Sequence, residues 1–294
     1  MAQVLTEETA LWPVDKIMLT YGVFTTVAIL GWWNQVPYAS ALLAAHVGGV
    51  GLLLFEILRP NLTSWFFRHW YPLPYVAACY KEMALLIPAI RRGSADQWLA
   101  NLDYSLWGTH PTVWLERLQS PPLTEFLQWV YTLFVPMVLL PAFLLWKRRS
   151  YAGFQYFAFL IALGYLVSYI GYLIVPARGP RFLLAPLQHV PLRGLWLFQG
   201  MQATLDKLES AHYDCFPSGH TELTILAWWS TRQFGKPLLF WLSFAYTLSI
   251  IFATVYLRYH YSVDVLAGVL VAVFLIGAAP FTFRKLTSKS RRLK

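Results

Sequence analysis

The sequence predicts an all-α protein that crosses a membrane several times. Of its 294 residues, 57% are hydrophobic and only 13% are charged, whereas soluble domains carry about 25% charged residues. Apolar runs close to the ~20 residues that span a bilayer as a helix recur along the chain. We therefore expect a polytopic helical membrane protein with six to eight transmembrane spans and an amphipathic segment in the membrane interface.

Eight apolar runs are the candidate spans, and turn-forming or basic residues separate them. The segment from Asn34 to Pro37 turns the chain after the first run, and Lys147 to Arg149 closes the fourth. The sixth run is short and contains polar residues. In chain order, the predicted spans cover residues 17–33, 39–58, 72–90, 123–146, 154–175, 221–232, 237–257 and 263–283.

Residues 91–124, between the third and fourth spans, are less hydrophobic but keep three tryptophans. Because tryptophan is enriched at the membrane–water interface, we predict amphipathic segments that lie in the interface. Within the third span, Lys81 and Glu82 should face the protein interior or a wet cavity. The sequence leaves open whether they form a structural pair between helices or serve a function.

The basic residues indicate the orientation of the chain. The net charge is +9, but Lys and Arg are spread between spans and over the tail, which argues against a nucleic-acid site. With the N-terminus inside and eight crossings, fourteen of the 23 Lys and Arg residues fall on the inner side and eight on the outer. This bias agrees with the positive-inside rule and predicts a basic cytoplasmic tail at 284–294.

The segment from Cys215 to Thr224 contains the strongest functional signal. Pro217 stiffens the approach, Ser218 is a natural helix N-cap, and Gly219 lets backbone N–H groups come close to an anion. The N-terminus of the helix that follows also favours negative charge. His220 lies in the first turn, where it can exchange a proton with a bound group.

Two further polar segments fall on the same predicted outer face. His260 precedes Asp264 by one helical turn, so the carboxylate can fix the imidazole tautomer, as expected for a nucleophile or base. His220 lacks such a partner and is better placed to protonate a leaving oxygen. Arg178 and Arg181 flank a Gly-Pro turn and can clamp phosphate oxygens. Together these residues predict phosphoryl transfer through a phosphohistidine.

The segment Phe216-Pro217-Ser218-Gly219-His220 resembles the second motif of the type 2 phosphatidic acid phosphatase superfamily. His260-Tyr261-Ser262-Val263-Asp264 resembles the end of its third motif. The resemblance covers residues 123–280 and implies a six-helix phosphatase-type core, an outer-surface active site, no metal and no other cofactor. It also implies that His260 is the nucleophile, Asp264 its orienting partner and His220 the general acid. Residues 102–111 are similar to the region before the core in inositol phosphorylceramide synthases, the phosphotransferase branch.

The chain departs from the phosphatases in two places. In the first motif of the phosphatases, a Lys precedes an Arg by seven residues. The positions seven before the two arginines of the Gly-Pro turn are Gly171 and Ile174, so this Lys is absent. The phosphatases also have an Arg six residues before the nucleophilic His, where this chain has Thr254. We predict that Arg258, two residues before His260, substitutes for that Arg. The predicted phosphate-binding residues are Arg178, Arg181, Ser218, Gly219 and Arg258.

These features predict a lipid phosphotransferase that moves a phosphoryl or phospho-alcohol group from a phospholipid donor to a lipid or polyol alcohol acceptor. Hydrolysis of a phosphatidic acid-like or prenyl phosphate is the first alternative. A non-catalytic transporter or scaffold is the second, although no transporter-like internal repeat is visible. We expect one integrated membrane domain in a bacterial inner membrane, with a periplasmic site. Within it, residues 1–122 form the N-terminal spans and interfacial segment, and residues 123–283 form the catalytic core.

The remaining histidines are predicted to be interfacial anchors or packed core residues. They are His46, His69, His110, His189 and His212. Glu222 follows His220 into an apolar helix, where an unpaired carboxylate is costly. We expect it either to line an acceptor pocket or to pair with a basic residue.

Overall fold

The computed structural model describes residues 11–59, 62–208 and 213–291. These residues form fourteen α-helices and short 3₁₀ turns, with no β-strand among them. His212 and the end of the basic tail, residues 292–294, lie outside the described residues. In chain order the helices are α1 Pro13–Gly31, α2 Ala39–Leu58, α3 Leu62–Trp70, α4 Pro72–Ile90, α5 Asp96–Trp107, α6 Pro111–Trp114, α7 Pro121–Thr132, α8 Phe134–Lys147, α9 Tyr151–Ile174, α10 Pro180–Leu183, α11 Phe198–Leu208, α12 Gly219–Thr231, α13 Pro237–Tyr256 and α14 Ser262–Arg291.

Six of these helices are long and apolar enough to cross a membrane: α1, α2, α4, α9, α13 and α14. The prediction of a polytopic helical membrane protein is therefore confirmed. Proline opens three of the six, at Pro13, Pro72 and Pro237. The first N–H groups of a helix have no partner within the helix, so proline begins a helix there without losing a hydrogen bond.

The predicted fourth span is not one straight helix. It is broken into α7 and α8, which meet at Leu133 with a bend of 45°. Pro136 lies in the first turn of α8 and cannot donate to the carbonyl of Thr132, with which its ring would clash in a continuous helix. The pair would supply a seventh crossing if it acts as one span.

The predicted sixth span, residues 221–232, is the central helix α12. Its 13 residues extend about 20 Å, short of the ~30 Å hydrocarbon core. It packs against α8, α9, α13 and α14, and ten of its residues are buried. Glycine permits this packing at two points. A Cβ at Gly164 of α9 would lie 2.8 Å from Glu222, and one at Gly268 of α14 would lie 2.6 Å from the Ser218 carbonyl.

The N-terminal helices are joined by a buried ion pair. Asp15 in α1 and Arg68 in α3 are fully buried, and their charged groups lie 2.6 Å apart. The Asp15 carboxylate also accepts hydrogen bonds from the Tyr71 hydroxyl at 2.6 Å and the Trp12 amide at 2.7 Å. The guanidinium of Arg68 stacks on the Trp12 ring. The carboxylate is therefore well compensated for its loss of water.

Lys81 and Glu82 do not pair with each other. The Lys81 ammonium donates to the Leu208 carbonyl at 2.6 Å, and the Glu82 carboxylate lies 3.1 Å from His46 Nε2. His46 Nδ1 in turn lies 2.7 Å from the Thr26 hydroxyl. His46 is therefore a polar link between α1, α2 and α4, as expected of a packed histidine, and Glu82 has a structural partner.

We predict that Arg68→Met lowers the free energy of unfolding by about 3–5 kcal/mol, because it leaves the Asp15 carboxylate buried without its cation. Thermal unfolding of the full chain in detergent measures this loss. Arg92→Met, which removes an exposed arginine, is the matched control. Equal unfolding midpoints for the two variants would contradict the assigned role of the ion pair.

Candidate active site

The turn before α12 is fixed between two neighbouring helices. Ser218 is the N-cap, and its hydroxyl oxygen accepts a hydrogen bond from the Thr221 amide. The Ser218 amide donates to the Asp264 carbonyl at 3.0 Å. Position 219 accepts only glycine without rearrangement, because a Cβ there would lie 2.6 Å from the Tyr172 hydroxyl. The N-terminus of α12 is thus held against α9 and α14.

The structure brings His220 and His260 together, although forty positions separate them in the sequence. Their ring centroids are 5.7 Å apart and their planes form an angle of 64°. His260 is 4% exposed, and its Nδ1 lies 2.8 Å from the carbonyl oxygen of Cys215. A carbonyl only accepts hydrogen bonds, so Nδ1 carries the proton and Nε2 has the free lone pair.

The i to i+4 spacing predicted that the Asp264 carboxylate fixes the tautomer of His260, but the contact between the two side chains is less direct. Its Oδ2 lies 3.6 Å from His260 Nδ1, which is too long for a hydrogen bond. The same oxygen accepts hydrogen bonds from the Tyr261 amide and the Cys215 thiol, both at 2.8 Å. The backbone carbonyl of Cys215, rather than the carboxylate, therefore fixes the tautomer, and Asp264 fixes the two segments around the ring.

Cys215 is a site residue that the sequence reasoning missed. Burial raises the pKa of its thiol well above the ordinary value, and the neighbouring Asp264 carboxylate raises it further. The thiol therefore keeps its proton and donates a hydrogen bond to the Asp264 carboxylate. The only sequence signal was its place two residues before Pro217, at the start of the segment that leads into α12.

The Cys215, His260 and Asp264 side chains also form the one cluster of potential metal ligands found in the described residues, with ligand atoms within 4.8 Å of one another. A metal ion there would have to displace both the thiol proton and the Nδ1 proton. Because both protons are held in hydrogen bonds, the arrangement fits a hydrogen-bonded network better than a metal site.

Aromatic rings from both sides of the break between α7 and α8 hold the imidazole of His220. The Tyr131 ring stacks on it with centroids 4.5 Å apart, and the Phe134 ring lies 4.4 Å away. Tyr131 also stacks on Tyr259 at 4.3 Å. The bend in the broken span thus places two aromatic residues against one histidine.

Arg178 and Arg181 lie on the segment that packs beside the His260 loop. The backbone amide of Arg181 donates to the Arg258 carbonyl. The exposed Arg178 side chain stacks on the Phe182 ring, with 4.3 Å between guanidinium and centroid. Arg181 forms an ion pair with the half-exposed Asp206 at 2.8 Å and lies 4.9 Å from the Tyr259 ring. Both cations are accessible, and Arg178 has no anionic partner among the described residues.

Arg258 is placed differently from the other two arginines. Its guanidinium is mostly buried and lies 2.8 Å from the Glu116 carboxylate. The same nitrogen donates to the Val190 carbonyl. The backbone of Arg258 is left-handed, with φ of 67°, which turns the chain toward His260. In this structure Arg258 therefore offers no free cation for phosphate.

Two carboxylates of α5 organise the backbone around the site, and sequence reasoning had placed them on an interfacial surface. Asp96 accepts hydrogen bonds from the amides of Arg178 and Gly179, both at 2.8 Å. Asp103 accepts from the amides of Ser262 and Val263, at 3.0 and 2.9 Å, and so caps α14, which begins two residues after His260. The two acids are seven residues apart, which places them on one face of the helix. That spacing is the signal that could have identified them.

Glu222 was expected to line an acceptor pocket or to pair with a basic residue, and its surroundings match neither expectation. It is fully buried, and its Oε2 accepts a hydrogen bond from the Ser168 hydroxyl at 2.6 Å. It therefore links α12 to α9 close to His220.

Fold and site together define a polytopic helical membrane protein. His220 lies in the first turn of the buried helix α12, and His260 lies beside it in space. A family profile described as PAP2 superfamily matches residues 97–278, which is more than half of the chain. The chain belongs to the PAP2 superfamily, and this membership indicates a lipid enzyme of the phosphatase or phosphotransferase type. Comparisons with curated proteins and with solved structures give no match.

We predict that Asp96→Ala loosens the Arg178–Gly179 backbone. Each hydrogen bond to a charged group contributes roughly 1.5–3 kcal/mol, so amide hydrogen exchange in residues 176–184 should accelerate about tenfold or more. Mass spectrometry of peptides from the full chain measures the exchange. Asp206→Ala, which removes the exposed partner of Arg181, should leave these backbone amides unchanged. Unaltered exchange in Asp96→Ala would show that the carboxylate does not hold this segment.

Proposed function

We propose that this protein is a membrane lipid phosphotransferase that works through an adduct on His260. It moves a phosphoryl or phospho-alcohol group from a phospholipid to an alcohol. The observation that carries the proposal is the approach of two imidazoles to 5.7 Å, with Nε2 of one free to act as a nucleophile. A pair in this arrangement can bracket one phosphorus atom.

In the first step, Nε2 of His260 attacks phosphorus and forms a nitrogen–phosphorus bond. The bond from phosphorus to the leaving oxygen breaks, and His220 gives that oxygen its proton. A bound phosphate favours the protonated form of His220 by charge attraction. In the second step, His220 takes a proton from the acceptor hydroxyl, whose oxygen attacks phosphorus and releases His260.

The proposed phosphate clamp consists of Arg178, Arg181 and the N-terminus of α12 at Ser218 and Gly219. The guanidinium of Arg178 is exposed and lacks an anionic partner among the described residues, which supports this role. Arg181 would exchange Asp206 for phosphate. Arg258 is left out of the clamp, since Glu116 already neutralises it.

Transfer is favoured over hydrolysis by two features of the chain. Gly171 and Ile174 stand where the phosphatases carry a lysine, and Asp103, which caps α14, lies in the region that resembles inositol phosphorylceramide synthases. If the chain crosses the membrane eight times, the excess of basic residues on the predicted inner segments supports a site on the outer face. We place it on the periplasmic face of a bacterial inner membrane. Metal independence is part of the same proposal.

We predict that His260→Ala lowers turnover by about 10⁴-fold or more, because the nucleophile is lost. His220→Ala should lower it by about 10²–10⁴-fold, the range for a general acid. Turnover is measured with a phospholipid whose phosphate is labelled. His189→Ala, an exposed histidine, is the control. Full activity in both site variants would refute catalysis by these residues.

An assay of the purified chain with and without an alcohol acceptor distinguishes transfer from hydrolysis. Transfer predicts that labelled product forms in proportion to acceptor. Release of free phosphate at the same rate with and without acceptor would show a phosphatase instead. No turnover of any labelled lipid, with intact folding, would support the non-catalytic alternative.

A further inference from the structure

A patch of exposed basic residues lies at the end of the helix bundle opposite the candidate active site. Two helices connect these places. α9 begins directly after Ser150 and ends before Arg178, and α12 begins at the Ser218 turn and ends directly before Arg232. The exposed basic residues of the patch are Lys147, Arg148, Arg149, Arg232, Lys236 and Arg284.

Side-chain contacts join three segments of the chain into this patch. The Arg148 guanidinium lies 4.9 Å from the centroid of the Phe234 ring, which joins the loop after α8 to the loop after α12. The Tyr156 ring, in the second turn of α9, lies 5.2 Å from the Phe283 ring near the end of α14. Arg232 interacts electrostatically with the same tyrosine. The cations therefore share one continuous surface.

No carboxylate neutralises the patch within the described part of the chain. Residues 146–156, 228–240 and 280–287 contain no Asp or Glu. None of the six cations forms an ion pair with a described carboxylate. Like charges at one surface repel each other, and an anionic partner from outside the chain removes this repulsion.

Aromatic rings order two of the guanidinium groups. The Arg232 guanidinium lies 3.7 Å from the centroid of the Trp229 ring, and Arg148 stacks on Phe234. An arginine fork binds phosphate oxygens in pairs, and a fork that is already ordered loses less side-chain entropy on binding. Tryptophan is also typical of the level at which phospholipid head groups lie.

We propose that this patch binds an anionic phospholipid, whose head-group phosphate is held by Arg148 and Arg232. Three helices that can cross a membrane, α9, α13 and α14, have one end at the patch, so the lipid head groups of that leaflet surround it. Along α12, whose 13 residues extend about 20 Å, the patch is remote from His220. The bound lipid is therefore not the donor of the reaction, and the inference does not depend on the proposed function.

Native mass spectrometry of the full chain in detergent micelles measures the binding. The probes are phosphatidylglycerol, which is anionic, and phosphatidylcholine, in which a cation balances the phosphate. We expect the wild type to bind phosphatidylglycerol more tightly. Arg148→Gln and Arg232→Gln should each weaken this binding about fivefold, the effect of one basic residue near an anionic lipid surface. Arg92→Gln, which removes an exposed arginine near the other end of α9, should bind as the wild type does.

A charge-conserving variant separates an ordered phosphate site from diffuse attraction. Arg148→Lys combined with Arg232→Lys keeps both charges but removes both forks, so binding should weaken several-fold. Because both arginines are exposed, the fold should persist, and equal unfolding midpoints without lipid check this. Unchanged binding in the lysine variant would overturn the proposed site, since diffuse attraction depends on charge alone.

Three other outcomes are decisive. Equal affinity of the wild type for the two lipids would overturn the inference. Phosphatidylglycerol binding that Arg178→Gln loses but the two glutamine variants retain would place the lipid at the candidate active site and overturn it as well. Loss of binding in both glutamine variants, in a protein that turns over no lipid, would support the patch and overturn only the proposed function.

Discussion

Asp264 fastens together the two segments that carry the histidines. Its carboxylate accepts hydrogen bonds from the Tyr261 amide and the Cys215 thiol, and its backbone carbonyl accepts one from the Ser218 amide. Cys215 and Ser218 lie on the turn before His220, and Tyr261 follows His260. A single residue therefore fixes both turns, and the approach of the two imidazoles depends on it.

Three carboxylates of this site, those of Asp96, Asp103 and Asp264, bind backbone N–H groups and pair with none of the arginines of the predicted clamp. Asp264 and the two acids of α5 hold the Arg178–Gly179 backbone, the His260 loop and the N-terminus of α14. Buried carboxylates need such hydrogen bonds to offset the loss of water. Because these acids bind backbone N–H groups, the guanidinium of Arg178 stays available for an anion from outside. These hydrogen bonds hold the backbone of the site, and Arg178 places a positive charge at its accessible edge.

Local patterns predicted the spans and the two histidines, because hydrophobic run length and the Pro-Ser-Gly-His turn are properties of short segments. The break at Leu133 also has a local cause, Pro136. It was not predicted because the apolar run continues through it. The partners of Arg258 and Cys215 were not predictable in this way. Glu116 lies 142 positions before Arg258, and the thiol of Cys215 meets a carboxylate 49 positions later. Only the packing of helices brings such pairs together.

In the proposed mechanism, the imidazoles of His220 and His260 bracket a single phosphorus atom. A cryo-EM structure of the full chain with orthovanadate, which adopts the trigonal-bipyramidal geometry of a transferring phosphoryl group, tests it most directly. We expect vanadium bonded to Nε2 of His260, with His220 within hydrogen-bond distance of an oxygen on the opposite side. Vanadate bound away from both rings, or imidazoles that point apart around it, would refute the proposed mechanism.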